Sequence, residues 1–134
     1  MKKKITNKLV RDKIPNILME QGKAFKAHPL HGADFSKQLA NKLIEEAIEL
    51  KAALENGMHL SSIEPLSIED CEDLDKDVLE EFADVFEVFT KLMKVENFKI
   101  EDLEKAVKEK RERNGGFENQ IFLEWFEDKK EKIK

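Results

Sequence analysis

Leu39-Ala40-Asn41-Lys42-Leu43-Ile44-Glu45-Glu46-Ala47-Ile48-Glu49-Leu50 is the stretch that decides how this chain folds. Leucines stand at 39, 43, 50 and 54, which is the spacing of one face of an α-helix. At about 100° per residue these leucines fall within roughly 80° of Glu46 on one side. Ala53 and Glu49 fall within about 60° on the other. Glu46 is therefore set inside an apolar stripe and Glu49 at its edge, while Glu45 points about 100° away, towards solvent or a supporting position. A carboxylate aimed at a core is costly unless something pairs with it.

A second segment repeats the arrangement. Glu81-Phe82-Ala83-Asp84 places two acids three residues apart on one helical face. Val78 and Val85 flank Glu81 on one side, and Val88 and Asp84 on the other. Phe82, Phe86, Phe89 and Met93 widen the apolar surface, so these acids are expected between packed surfaces. The competing reading makes all of them surface acids of charged helices. An intermediate one lets a single member of each pair face inward.

Composition agrees with a helical protein. Charged residues make up 40% of the 134 and aromatic residues 7%, with five glycines and three prolines gathered between the periodic segments. The pattern predicts an all-α helical bundle, one domain over 1–134, with 1–6 and 128–134 frayed. Helices are expected at about 14–21, 34–56, 77–95 and 99–113. Gly57 would close the second, residues 57–76 would form an acidic connection, and Asp77 with Glu80 would cap the helix at 77. Ile121, Phe122, Leu123, Trp125 and Phe126 are expected to pack onto the body.

Several function classes drop out. A net charge of −5 argues against an extended nucleic-acid surface. No apolar run reaches membrane-spanning length and no signal-peptide core follows the basic start, so a cytoplasmic protein is the expectation. Cys71 is the sole cysteine and lies among acids that disfavour its thiolate. The run Asp73–Asp77 is no calcium loop, because Val78 stands where an EF-hand needs glycine.

The acids themselves point to a hard cation. His28, His31 and His59 all fall in expected connections, so the helical candidates are carboxylates alone. Oxygen-only ligation favours Mg2+, with Mn2+ as a substitute, over zinc or a di-iron centre. One ion or two would suit such a set. Lys110, Arg111 and Asn114 continue the Ile100-Leu103-Val107 stripe, so cations stand where apolar residues stop. Lys and Arg before Gly115-Gly116 are also ordinary helix-ending chemistry.

Glu45-Glu46-Ala47-Ile48-Glu49 followed by Glu81-Phe82-Ala83-Asp84 resembles the EExxE…ExxD signature of the MazG-like, all-α nucleoside triphosphate pyrophosphohydrolases. Asn7-Lys8-Leu9-Val10-Arg11-Asp12-Lys13-Ile14-Pro15 is similar to the opening of their phosphoribosyl-ATP pyrophosphohydrolase-like branch. Lys110-Arg111-Glu112-Arg113-Asn114-Gly115-Gly116-Phe117, with Ile121-Phe122-Leu123, is similar to its ending. The resemblance spans about 7–124 and implies a helical core completed by self-association as a dimer or higher oligomer. It implies hydrolysis of a nucleotide between the α and β phosphates, to a monophosphate and pyrophosphate. By motif position Glu46, Glu49, Glu81 and Asp84 would be the Mg2+ ligands. Glu45 and Glu46 would be the catalytic acids, with Glu45 supporting the ligands or handling the attacking water. Lys110, Arg111 and Arg113 would contact phosphate, and residues 8–12 receive no role. A house-cleaning task against non-standard nucleotides is family analogy alone.

One departure stands out. Thirty-one residues separate Glu49 from Glu81, more than the family pattern, and the excess is expected in the acidic connection, where it would cover the site entrance or change the substrate range. Two other classes compete with the hydrolase: a nucleotide-binding module that keeps the fold without catalysis, and a plain helical interaction protein.

Overall fold

The computed structural model describes residues 2–63 and 66–129. Among these the chain is all-α, as the periodicity predicts, with no strand. The helices are α1 (Ile14–Glu20), α2 (Gly32–Ile63), α3 (Ile68–Val95) and α4 (Ile100–Asn114). The chain divides into two units, 1–98 and 99–134.

The first unit is built on α2 and α3, which pack against each other. Only residues 64–67 lie between them. So short a connection makes the two helices antiparallel neighbours. The packed positions of α2 include Leu39, Leu43, Glu46, Leu50 and Ala53. Those of α3 include Leu74, Val78, Glu81, Val85, Val88, Leu92 and Val95. Both series alternate steps of three and four, the 3.5-residue rhythm that keeps a seam facing its partner along a coiled-coil pair. Glu46 and Glu81 each occupy a seam position that the rhythm would otherwise fill with an apolar side chain.

α3 opens at Ser67, whose Oγ accepts from the Asp70 N–H at 3.1 Å, with Glu69 and Asp70 in the first turn. Acids there complement the helix dipole. The expected cap at Asp77 is therefore overturned. So is the connection at 57–76, since α2 runs on through Gly57 to Ile63 and the acids from Glu69 to Asp77 lie within α3. Gly57 costs only about 1 kcal/mol in a helix interior, which the packing of α2 against α3 overrides. The long Glu49–Glu81 interval thus lengthens two helices instead of forming a lid. At 1.5 Å per residue it carries the tip of the hairpin roughly 25 Å along the axis from Glu46. Glu64 and Pro65, within the expected connection, lie outside the described residues.

α1 begins with Pro15 in its first turn, where the missing N–H is not needed. The Ile14 N–H donates to the Arg11 carbonyl at 3.1 Å, so α1 holds the end of the N-terminal segment that precedes it.

The second unit holds α4. Lys99 N–H donates to the Asp102 carboxylate at 2.9 Å at its start. Gly115, at φ 82°, ends it, its N–H donating to the Arg111 carbonyl at 2.8 Å. The left-handed φ favours glycine there. The stripe Ile100-Leu103-Val107 is exposed at its two ends, and Ile121, Phe122, Leu123, Trp125 and Phe126 are all exposed. That overturns the expectation that these side chains pack. Fraying was expected for 128–134, of which 130–134 lie outside the described residues.

Candidate metal centre

The two seam acids meet. Glu46 from α2 and Glu81 and Asp84 from α3 each offer a carboxylate oxygen, all within 4.8 Å of one another. Glu46 is only 7% exposed, and Glu81 and Asp84 are half-buried. Glu46 Oε2 and Glu81 Oε2 are buried with no hydrogen-bond partner among the described residues. An orphaned buried carboxylate oxygen is expensive, and here two belong to one cluster. An all-oxygen donor set of this charge suits a hard divalent cation such as Mg2+ or Mn2+. The residues present therefore fit the ion that the sequence implies.

Cations of the chain surround the cluster. Lys42 Nζ lies 3.3 Å from Glu45 Oε1 and 3.4 Å from Glu46 Oε1, and its side chain is 16% exposed. It stands three and four residues before these acids, so one helical turn brings it to both. Lys8 Nζ reaches Glu45 Oε1 at 3.2 Å. Arg11 spans two carboxylates of α3, donating to Asp84 Oδ1 and to Glu87 Oε2, each at 2.5 Å. The segment 8–11 thus touches α2 through Lys8 and α3 through Arg11.

The electrostatics divide the acids into two kinds. Burial pushes the Glu46 carboxyl above the ordinary glutamate range, and the neighbouring Glu49 carboxylate pushes it further, against the pull of Lys42. Glu81 is pushed up by burial and then by the charges of Asp84, Glu46, Glu80 and Asp77. Glu45 goes the other way. Burial raises it, but hydrogen bonds from Lys8 and Lys42 more than offset this and hold it below the usual range. Glu87 and then Asp84 raise the Arg11 guanidinium above its already high value. Glu46 and Glu81 are thus acids short of positive charge, and Glu45 is fully supplied.

The motif residues are distributed unevenly. Glu46, Glu81 and Asp84 form the cluster. Glu49 is exposed beside Glu46 and is not a member, while Glu45 stands next to the cluster with its two lysines. Lys110, Arg111 and Arg113 belong to the second unit. Lys110 and Arg111 line an open groove of about 690 Å³ there with Val107, Asn114, Gly115, Gly116, Phe117 and Glu118, and Arg113 does not. Lys42 is absent from the candidates read from the sequence, although its spacing from Glu45 and Glu46 is a readable signal. Lys8 and Arg11 stand in the opening motif at 7–15 that carries the resemblance, but no spacing gives them a role, since Arg11 stands 73 residues before Asp84.

No family model matches this chain, and no curated protein or solved structure matches it. No helix among the described residues is long and apolar enough to cross a membrane.

Proposed function

We propose that this chain is a Mg2+-dependent nucleotide pyrophosphohydrolase that cleaves a nucleoside triphosphate, or a related nucleotide, between the α and β phosphates. The observation that carries the reading is the cluster of Glu46, Glu81 and Asp84, with two buried oxygens left unpartnered. A bound divalent cation supplies phosphate charge neutralisation and a more acidic water. The chain's own residues do the rest. Glu46, Glu81 and Asp84 would hold the ion, with Glu49 at the rim. Glu45, kept ionised by Lys8 and Lys42, accepts a hydrogen bond from the attacking water and orients it. The water oxygen bonds to phosphorus and the bridging P–O bond breaks. The water's proton passes along that hydrogen bond to Glu45, and a monophosphate and pyrophosphate depart. Lys110, Arg111 and Arg113 lie in the second unit and take no part in this mechanism; the reading goes with a cytoplasmic setting, where nucleotide and Mg2+ are both supplied.

Self-association goes with it. Among the described residues only Leu39 and Glu46 are buried, while Ile44, Ile48, Leu79, Phe82 and Phe86 on the hairpin are exposed. Apolar surface on that scale supports a second copy completing the core, and sedimentation velocity tests it directly.

The deciding experiment measures pyrophosphate release from a panel of standard and modified nucleoside triphosphates with Mg2+, using Glu46→Gln and Asp84→Asn as controls. Release that both controls lose supports the hydrolase. Mg2+-dependent nucleotide binding with no release replaces it with a binding module, and neither binding nor release leaves a helical interaction protein.

A further inference from the structure

The N-terminal segment places a cation where a metal ion would act. Arg11 bridges Asp84, a member of the carboxylate cluster, and Glu87, one helical turn further along α3. Its side chain is 56% exposed, so it caps the cluster from the solvent side and is not locked into a core. Its fork suits two carboxylates at once. Lys8, three residues earlier, is held by Glu45 on the other helix. The Arg11 carbonyl is tied to the start of α1 through the Ile14 N–H, and among the described residues 8–10 make no such backbone bond.

We propose that Arg11 is a built-in counter-ion that competes with the divalent cation for Asp84, so that loading the metal releases the Arg11 side chain from Asp84. The proposal rests on the metal reading above and names a control on that same site. Whichever Asp84 oxygen the cation takes, it meets a guanidinium already neutralising that carboxylate. Two positive charges sharing one carboxylate repel each other, so each weakens the other's hold. By linkage the coupling is reciprocal: the arginine lowers metal affinity, and the metal lowers occupancy of the arginine contact. Glu87 keeps Arg11 nearby once Asp84 is surrendered. Lys8 stands apart, because its partner Glu45 is outside the cluster.

The sign of the effect separates this role from its opposite. If Arg11 served to position Asp84 for the metal, its removal would weaken binding. As a competitor, its removal strengthens it. The test is direct titration of the full chain with Mn2+, following free Mn2+ by electron paramagnetic resonance, for the wild type, Arg11→Met, Arg11→Lys and Lys8→Met. Thermal melts establish that each variant is folded. Arg11→Met is expected to bind roughly fivefold tighter, the upper end of what an exposed ion pair contributes. Arg11→Lys, which keeps charge but loses the fork, should fall between, and Lys8→Met should change affinity less than twofold. A second reading uses Mg2+ and the Arg11 side-chain N–H resonance, which should move towards that of a solvated arginine as the ion binds. Metal binding by the wild type with equal or weaker binding by Arg11→Met, or with an Arg11 resonance that does not move, overturns the proposal and leaves the metal centre standing. No Mn2+ binding by any of the four chains overturns both.

Discussion

Glu46→Gln should make the metal-free protein more stable. Glu46 is 7% exposed, and its Oε2 has no hydrogen-bond partner among the described residues. An unsatisfied buried acceptor of this kind costs about 1–3 kcal/mol. Its charge also opposes Glu81 and Asp84 across no more than 4.8 Å. At an effective dielectric near 20 that repulsion is roughly 3.5 kcal/mol per pair before solvent and Lys42 reduce it. The amide removes the charge and can donate to Glu81 or Asp84, turning repulsion into a hydrogen bond. It gives up the 3.4 Å contact with Lys42, which at a partly exposed site is worth up to about 1 kcal/mol. The balance favours glutamine by about 1–2 kcal/mol, or roughly 3–8 °C in Tm for a chain of this size. The assay is thermal unfolding by circular dichroism at pH 7.5 with excess chelator. Mg2+ replacing the chelator at ten times its Kd should then lift the wild type by about 1.4 kcal/mol and leave the variant unmoved. A Glu46→Gln protein that melts below the wild type in chelator refutes the reasoning. It would mean that the carboxylate is already satisfied and the cluster has no need of an ion.

Three further outcomes follow from the same structure. In chelator, stability should fall as pH rises from 4.5, the ordinary glutamate value, through the raised values of Glu46 and Glu81. Both hold their protons more tightly folded than unfolded, so the folded state is favoured while they are protonated. Lys42, Arg11, Glu49, Asp84, Glu80 and Asp77 surround the pair, and Glu45, whose value is lowered, acts only below that window. Chemical denaturation from pH 4.5 to 7.5 measures the slope, and the double variant Glu46→Gln/Glu81→Gln should flatten it. Ser67→Ala, which removes the cap of α3, should cost about 1 kcal/mol in the same denaturation. Gly57→Ala should add about 0.5–1 kcal/mol, because Gly57 is interior to α2, has no left-handed φ, and an added Cβ meets nothing within 4 Å. A loss on Gly57→Ala would instead put a helix end at that residue.

How far the sequence could be read depends on the range of each interaction. The all-α fold and the inward acids were legible because they rest on helical period. Leu39, Leu43 and Leu50 fix the face of α2, and Glu46 falls on it. The same period put Glu45 aside and Glu49 at the edge, where each is found. Helix ends were less legible. Gly57 and the acids near 70–77 carry local signals for a break, and the packing that overrides them is tertiary. Ser67 was a readable cap in a segment whose acidity argued for a loop, although acids in a first turn favour a helix start.

Arg11 marks where local reading ends. Its partners lie 73 and 76 residues away, and no period or spacing connects them. What does connect them is charge. The seam of α2 and α3 brings three carboxylates within 4.8 Å, and a folded chain that gathers such a charge must supply a counter-charge from within or bind one. Lys42 supplies part of it from within α2, and Arg11 brings part from the N-terminal segment, while Lys8 answers the adjoining Glu45. Yet the oxygens these cations reach are Glu45 Oε1, Glu46 Oε1, Asp84 Oδ1 and Glu87 Oε2, while Glu46 Oε2 and Glu81 Oε2 stay unpartnered among the described residues. Those two oxygens are what a divalent ion with oxygen ligands would take. The chain's cations settle the rim of the cluster and leave the two oxygens without a partner among the described residues, which is why removing Arg11 and removing Glu46 should move metal binding in opposite directions.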